Sequence, residues 1–246
     1  MAYSGRCLLS NYFTNRAANR GACAQSCRWK YKIVEETRPG EYYPIEEDER
    51  GTYIFNSKDL CMIQYIPELI ESGVYSFKIE GRVKTSYYVG SVIKAYREAI
   101  DDYLTDPALY ESKKEYYLDE VKKSSYRGYT TGFFLGKPDE DAQVYTSNSY
   151  VRTYDFIGLV KEYDKETGFA IIEQRNKFVV GEEIEFLTTN GKNFSQKVVE
   201  MYDTEGNRLE EAPHPQQIIK LKVDNPVSPF DMMRKESDNP VLPEDI

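Results

Sequence analysis

Residues 156–212 read FIGLVKEYDKETGFAIIEQRNKFVVGEEIEFLTTNGKNFSQKVVEMYDTEGNRLEEA. Short runs rich in Val, Ile, Phe and Tyr are separated by turn formers at Lys165 to Gly168, Val180-Gly181, Asn190-Gly191 and Glu205 to Asn207. Strands at roughly ten-residue spacing, joined by residues that tolerate tight turns, predict a small all-β barrel or sandwich. Residues 214–235, HPQQIIKLKVDNPVSPFDMMRK, add one last strand and a proline-closed end.

Upstream the pattern changes. Residues 105–127 are polar and charged, with a proline near their start, and read as a short helix or two acting as a connector. Before them, residues 51–60 begin with a β-prone run, Thr52 to Phe55. In residues 66–73, Pro67 suits a helix's first turn and Gly73 its C-terminal end. VYSFKIEGR (74–82) reads as a second strand, and in residues 85–104 Tyr88, Val92, Ala95, Tyr96 and Ala99 recur at helical spacing. Strand, helix, strand, helix is the order of parallel α/β folds. Two such units are too few to close an eight-stranded barrel of about 250 residues.

The 246-residue chain is 40% hydrophobic, as folded proteins are, and carries a formal net charge of −9. It has no apolar run of membrane-spanning length, and its start lacks the order of a secretory signal, so a cytoplasmic location is expected. There thiols stay reduced, and the four cysteines read as metal ligands, reactive groups or buried fillers rather than a disulfide framework. The overall charge argues against a general nucleic-acid binder. Its distribution leaves room for a local basic surface: Met1 to Val34 holds Arg6, Arg16, Arg20, Arg28, Lys30 and Lys32 and no carboxylate, whereas Glu35 to Arg50 is acidic.

Cys7, Cys23, Cys27 and Cys61 follow the pattern C-x15-C-x3-C-x33-C, which matches neither a zinc ribbon nor a bacterial ferredoxin. Cysteine is also a common buried small hydrophobe, and spacing alone leaves both readings open. The Gly- and Asn-rich surroundings, with their arginines, favour a loop whose thiols can take the thiolate form that metals require. In FKIEGRVK (77–84), Lys78 and Glu80 share one strand face, and Arg82 and Lys84 follow. This is either an ion pair at a strand end or a site for an anion. Trp29, Tyr31, Tyr87 and Tyr88 lie near basic residues and could stack bases, although tyrosines more commonly serve packing. The sole histidine, His214, sits between prolines, so neither a paired-histidine zinc site nor a histidine base beside a nucleophile is visible.

SGRCLLSNYFTNRAANRGACAQSCRWKY (4–31), RGTYIFNSKDLC (50–61) and FKIEGRVKTSYYVGSVIKAYREAID (77–101) closely resemble the collagenase-like U-32 peptidase family. The nearest members are bacterial proteins that hydroxylate the wobble uridine of tRNA. The family signature ends in G-x-C-x-x-S, present as Gly5, Cys7 and Ser10. Its first half, ending in another cysteine, is expected upstream of Met1, and the resemblance runs to about residue 234. It implies α/β plus all-β architecture: a partial TIM-barrel-like (β/α) segment with the cysteine segment (1–104), a helical connector (105–140), a small C-terminal β-barrel domain (141–234) and a tail (235–246).

By the same resemblance, the chain is the C-terminal portion of a protein acting in tRNA wobble-uridine 5-hydroxylation. An iron-sulfur cluster would be held by Cys7, Cys23 and then Cys61 or Cys27. Glu80 and Arg82 become candidates for the catalytic site or an RNA phosphate, and Arg16, Arg20, Arg28 and Lys30 for RNA binding. Prephenate is the implied co-substrate and tRNA the partner, with an N-terminal half that could be a separate chain. The rival readings are a collagenase-like peptidase and a non-catalytic fragment that binds RNA or a partner.

Overall fold

The structure, a computed structural model, describes residues 8–26, 46–48, 51–53, 57–136 and 150–243. Helix α1 (Leu8–Thr14) is followed by a 3-10 turn at Ala18–Arg20 that ends on Gly21. Strands β1 (Glu46–Asp48) and β2 (Gly51–Tyr53) pair antiparallel, so the β-prone run starting at Thr52 enters a hairpin; Phe55 lies outside the described residues. After β3 (Asp59–Leu60) comes α2 (Ile66–Glu71), with Pro67 in its first turn and Gly73 just beyond its end.

Helix α3 (Ser86–Thr105) starts at Thr85, whose hydroxyl accepts from the Tyr88 N–H. The polar connector resolves into two helices, α4 (Pro107–Ser112), capped by the Asp106 carboxylate, and α5 (Lys114–Lys122). Their apolar faces meet in a core of Ile63, Ile66, Val92, Ala95, Ala99, Tyr110, Tyr117 and Val121, with Tyr88 and Tyr96 packed against it. Strand β4 (Tyr129–Thr130) then returns to lie parallel to β3. No helix among the described residues is long and apolar enough to cross a membrane.

VYSFKIEGR does not form the expected strand: residues 74–81 join no ladder among the described residues. Burial still alternates, with Phe77 and Ile79 against the helical core and Lys78 and Glu80 exposed. Alternation is a local property of an extended chain, whereas a ladder needs a neighbour, and β3 and β4 pair with each other. The parallel α/β grammar is therefore realised, among the described residues, as one two-residue pair beside the core of helices α2 to α5.

The second unit comprises β5 (Arg152–Asp164), β6 (Phe169–Gln174), β7 (Phe178–Val179), β8 (Glu183–Leu187), β9 (Phe194–Lys197), β10 (Met201–Tyr202), β11 (Arg208–Leu209), β12 (Glu211–Ala212), β13 (Ile218–Lys222) and β14 (Met232–Val241). Eight of these form an antiparallel sheet in the order β11-β10-β13-β6-β5-β14-β8-β9, and β7 pairs with β12 apart from it. The turns fall where expected. Between β5 and β6, Gly168 takes φ +69° and the Asp164 carboxylate accepts from the Glu166 and Thr167 N–H groups. Alternate residues of β6 and β13 turn inward onto Ile157, Val160, Phe186 and Met233. Register shifts at Val160/Glu162 and Met233/Arg234 accentuate the curl.

The sheet stops short of the expected closed barrel. Its edge strands β11 and β9 do not pair, leaving a curled half-barrel. With β10 and β11 only two residues each, that edge offers too little ladder to bridge the gap.

A buried ion cluster joins the two units. Arg234 of β14, 0% exposed, donates to Glu120 Oε2 of α5 at 2.7 Å and to Glu185 Oε2 of β8 at 2.8 Å. Lys123 reaches the same two carboxylates at 2.7 and 3.3 Å, so two cations balance two anions. Tyr154 lies beneath both cations, and Asn193 donates to Glu120. Around this cluster Tyr87 stacks on Phe156 at 5.4 Å, and the Met232 side chain fills the space where a Cβ on Gly90 would stand.

Burial by itself raises the Glu185 carboxyl, but the hydrogen bond and charge of Arg234, aided by Lys123, outweigh it and hold the group below its ordinary 4.5. A depressed carboxyl contributes stability that is complete above the unfolded-state value and is lost as pH falls through the folded-state one. Acid denaturation should therefore show a loss of stability below about pH 4.5 that Glu185→Gln diminishes. Arg234→Ala, which strands two carboxylates, should destabilise the chain by about 3–5 kcal/mol in chemical denaturation at pH 7.

Candidate functional site

The loop after α1 is held by Ser10, which is fully buried. Its hydroxyl donates to the Arg16 carbonyl and accepts from the Ala24 N–H, both at 2.8 Å. This fixes the approach to Cys23, whose half-buried Sγ accepts from the Gln25 N–H at 3.4 Å. An N–H directed at sulfur is the kind of contact that tunes a metal-bound sulfur.

Arg82 clamps the same loop. Its guanidinium donates to the Ala18 carbonyl at 2.5 Å, and its stem passes so close to Gly21 that a Cβ there would lie 3.3 Å from Arg82 Cδ. Gly21 also adopts φ +79°, which favours glycine for a second reason. The Arg82 N–H donates to Glu80 Oε1 at 2.9 Å, closing the turn that aims the clamp. Glu80 and Arg82 are thus brought together beside the cysteine loop, where both have a structural task. Arg16 and Arg20 are exposed on that loop. Cys7, Cys27, Arg28 and Lys30 lie outside the described residues, as do Trp29 and Tyr31.

Cys61 occupies a different setting. It follows β3 directly, and its N–H donates to the Thr130 carbonyl at 3.0 Å. Its side chain packs half-buried against the helical core, with Sγ 3.8 Å from Tyr96 Oη, which accepts from the Met62 N–H at 2.8 Å. Burial pushes the Cys61 thiol up, against the downward pull of its hydrogen bonds. Burial, and then the nearby Asp59 and Cys61, push Tyr88 up to about 12. The Lys84 ammonium sits 3.9 Å from the Tyr150 ring centre and 4.9 Å from that of Tyr88, and the Arg127 guanidinium also faces Tyr150.

Among the described residues no three of His, Cys, Asp and Glu gather as a metal-binding group. His214 is exposed in its proline loop, and its N–H donates to Gln217 Oε1. Sequence reasoning missed Tyr96 as a neighbour of Cys61, because its place in the apolar stripe of α3 accounts for it as packing. Tyr150 and Arg127 carried no spacing signal at all.

Residues 1–144 match the family model described as peptidase family U32, and residues 152–234 match that of the peptidase family U32 C-terminal domain. The chain belongs to peptidase family U32. It is 42% identical over 235 residues to tRNA hydroxylation protein P1 of Bacillus subtilis (strain 168), an alignment covering 96% of this chain and 55% of the relative. It is 31% identical over 236 residues to a collagenase of Porphyromonas gingivalis, covering 95% of this chain and 62% of that protein. A crystal structure of the C-terminal domain of a Geobacillus thermoleovorans U32 peptidase is 48% identical, with TM-score 0.32, covering 33% of this chain and 99% of that one. The chain spans about half the length of the tRNA hydroxylation relative.

The clamp geometry in this U32 chain has a measurable consequence. Arg82→Ala should loosen the Ala18–Gly21 turn and speed iodoacetamide labelling of Cys23 by about three- to tenfold, the worth of one charge-assisted hydrogen bond at a partly solvated site. Mass spectrometry of labelled peptides reads the rate, and an unchanged Cys23 rate would contradict the clamp.

Proposed function

We propose that this chain is the C-terminal portion of a U32 protein acting in tRNA wobble-uridine 5-hydroxylation. The observation that carries this reading is the 42% identity, across 96% of the chain, to a protein named tRNA hydroxylation protein P1. In this reading Cys7, Cys23, Cys27 and Cys61 are the candidate thiolates for an iron-sulfur cluster, which supplies one-electron redox chemistry when bound. The two described cysteines fit such a role. Both are free of disulfides, Cys23 carries an N–H donor and Cys61 a phenol neighbour, and hydrogen bonds to sulfur tune clusters of this kind.

Arg82 and Glu80 hold the cysteine loop in register, and the remaining guanidinium N–H groups of Arg82 can meet an anion. Arg16 and Arg20, with Arg28 and Lys30, supply the basic surface for tRNA phosphates. The helical unit contributes part of a TIM-barrel-like domain, the half-barrel assists tRNA docking, and prephenate is the proposed co-substrate.

The likeness to a collagenase favours a second reading, peptide hydrolysis. Against it stands the chain's single histidine, exposed on the β unit, since Cys- and Ser-dependent hydrolysis usually sets a histidine beside the nucleophile.

In a strain lacking the full-length gene, the wild-type protein should restore 5-hydroxyuridine in tRNA nucleosides read by mass spectrometry. Cys23→Ser and Cys61→Ser should not, because a hydroxyl is a poor soft-metal ligand. Restoration by both variants, or gelatin cleavage by the purified protein, would overturn the proposal. Arg16→Ala with Arg20→Ala should reduce the salt dependence of tRNA binding by about one to two in log–log slope. An unchanged slope would remove these residues from the RNA surface.

A further inference from the structure

We propose that Tyr96 donates a hydrogen bond to the Cys61 sulfur when that sulfur ligates a metal, which makes it a positioning residue of the cysteine site. This rests on the reading of Cys61 as a cluster ligand. The argument is an accounting of one proton. A phenol has a single hydrogen to donate and lone pairs to accept with. The Met62 N–H donates to Tyr96 Oη at 2.8 Å and takes one lone pair. A backbone N–H cannot receive the phenol hydrogen, so that hydrogen points elsewhere, and Cys61 Sγ lies 3.8 Å away. One oxygen thus grips the peptide of Met62 and the sulfur of the preceding residue.

The surroundings make the contact selective. Tyr96 stands mid-way along α3 between the buried positions Val92, Ala95 and Ala99, which fixes the direction of its ring. Of the other phenols near Cys61, Tyr129 spends its hydroxyl on the Val121 carbonyl at 3.1 Å, and the ring of Tyr88 faces the Lys84 ammonium. A thiol is a weak acceptor and a thiolate a strong one, so the O–H···S bond strengthens when Cys61 carries negative charge. In an apolar pocket it adds to the backbone hydrogen bond at Ile63 in offsetting the lost hydration of that charge. Groups of this kind, touching a ligand rather than a metal, commonly set affinity by ten- to a hundredfold.

The test uses full-length protein reconstituted anaerobically with iron and sulfide, and reads iron content, midpoint reduction potential and iron loss to a chelator. Tyr96→Phe should load a cluster whose potential is lower, because the more electron-rich reduced state loses a donor, and whose iron is lost about ten- to a hundredfold more readily. Tyr110→Phe is the control. It removes a buried hydroxyl that donates to the Ile63 carbonyl at 2.9 Å in the same core, and should leave all three readouts unchanged. Replacing Tyr96 by 3-fluorotyrosine, a stronger donor of the same shape, should move the potential upward, a reversal that packing alone would not produce. Cys61→Ser should not load.

Tyr96→Phe behaving like wild type, or shifting no further than Tyr110→Phe, overturns the role of Tyr96 while leaving Cys61 a ligand. Cys61→Ser loading as wild type overturns both. Should Tyr96→Phe fail to fold, the 3-fluorotyrosine protein decides: an unmoved potential rejects the proposal.

Discussion

A buried arginine between two carboxylates is the constraint on which the arrangement of this chain depends. Arg234 cannot lose its charge, and at full burial it must be matched by anions and hydrogen bonds. The match is drawn from three places far apart in sequence: Glu120 and Lys123 at the end of α5, Glu185 on β8, and Tyr154 on β5. Glu120 and Lys123 reach their β-unit partners only when both units are in place. A hydrophobic contact would tolerate sliding, whereas a cluster with two cations and two anions penalises any displacement that leaves one charge unmatched.

The Cys61 site inherits this order through covalent and hydrogen-bonded links. The helix that carries Glu120 also carries Val121, whose carbonyl receives the Tyr129 hydroxyl, and Tyr129 lies in β4. The next residue of β4, Thr130, accepts from the Cys61 N–H. On the other side α3 carries Tyr87, stacked on Phe156 of the β unit, and nine residues later Tyr96 beside Cys61. α3 therefore touches both the half-barrel and Cys61, and α5 reaches Cys61 through β4. Cys23 is held by a separate device, the Ser10 staple and the Arg82 clamp, which belongs to the front unit alone.

The local features were legible in the sequence. Pro67 and Gly73 bracket α2, Thr85 starts α3, the connector forms two helices, and the turn residues from Lys165 to Asn207 separate the strands of the curled sheet. What sequence could not supply was anything fixed by a neighbour. VYSFKIEGR alternates as a strand should and joins no ladder among the described residues, and the sheet meant to close stays open because its edge strands are too short. Glu80 and Arg82 stood out as a pair, but their grip on the Ala18 turn depends on a contact across 64 residues. Nothing in the sequence sets Arg234 apart from the other cations. Its burial becomes visible only when Glu120 is brought to it.

Native-state hydrogen exchange on the wild-type chain, read by mass spectrometry, tests the claim that the ion cluster makes one cooperative body of the two units. The account predicts that amides in the middle of α3 and α5 exchange through the same opening as those of β5 and β14, with comparable protection. It would be contradicted by α3 and α5 exchanging orders of magnitude faster than the half-barrel, the behaviour of a helical unit that opens and takes Glu120 away while Arg234 and Glu185 stay behind.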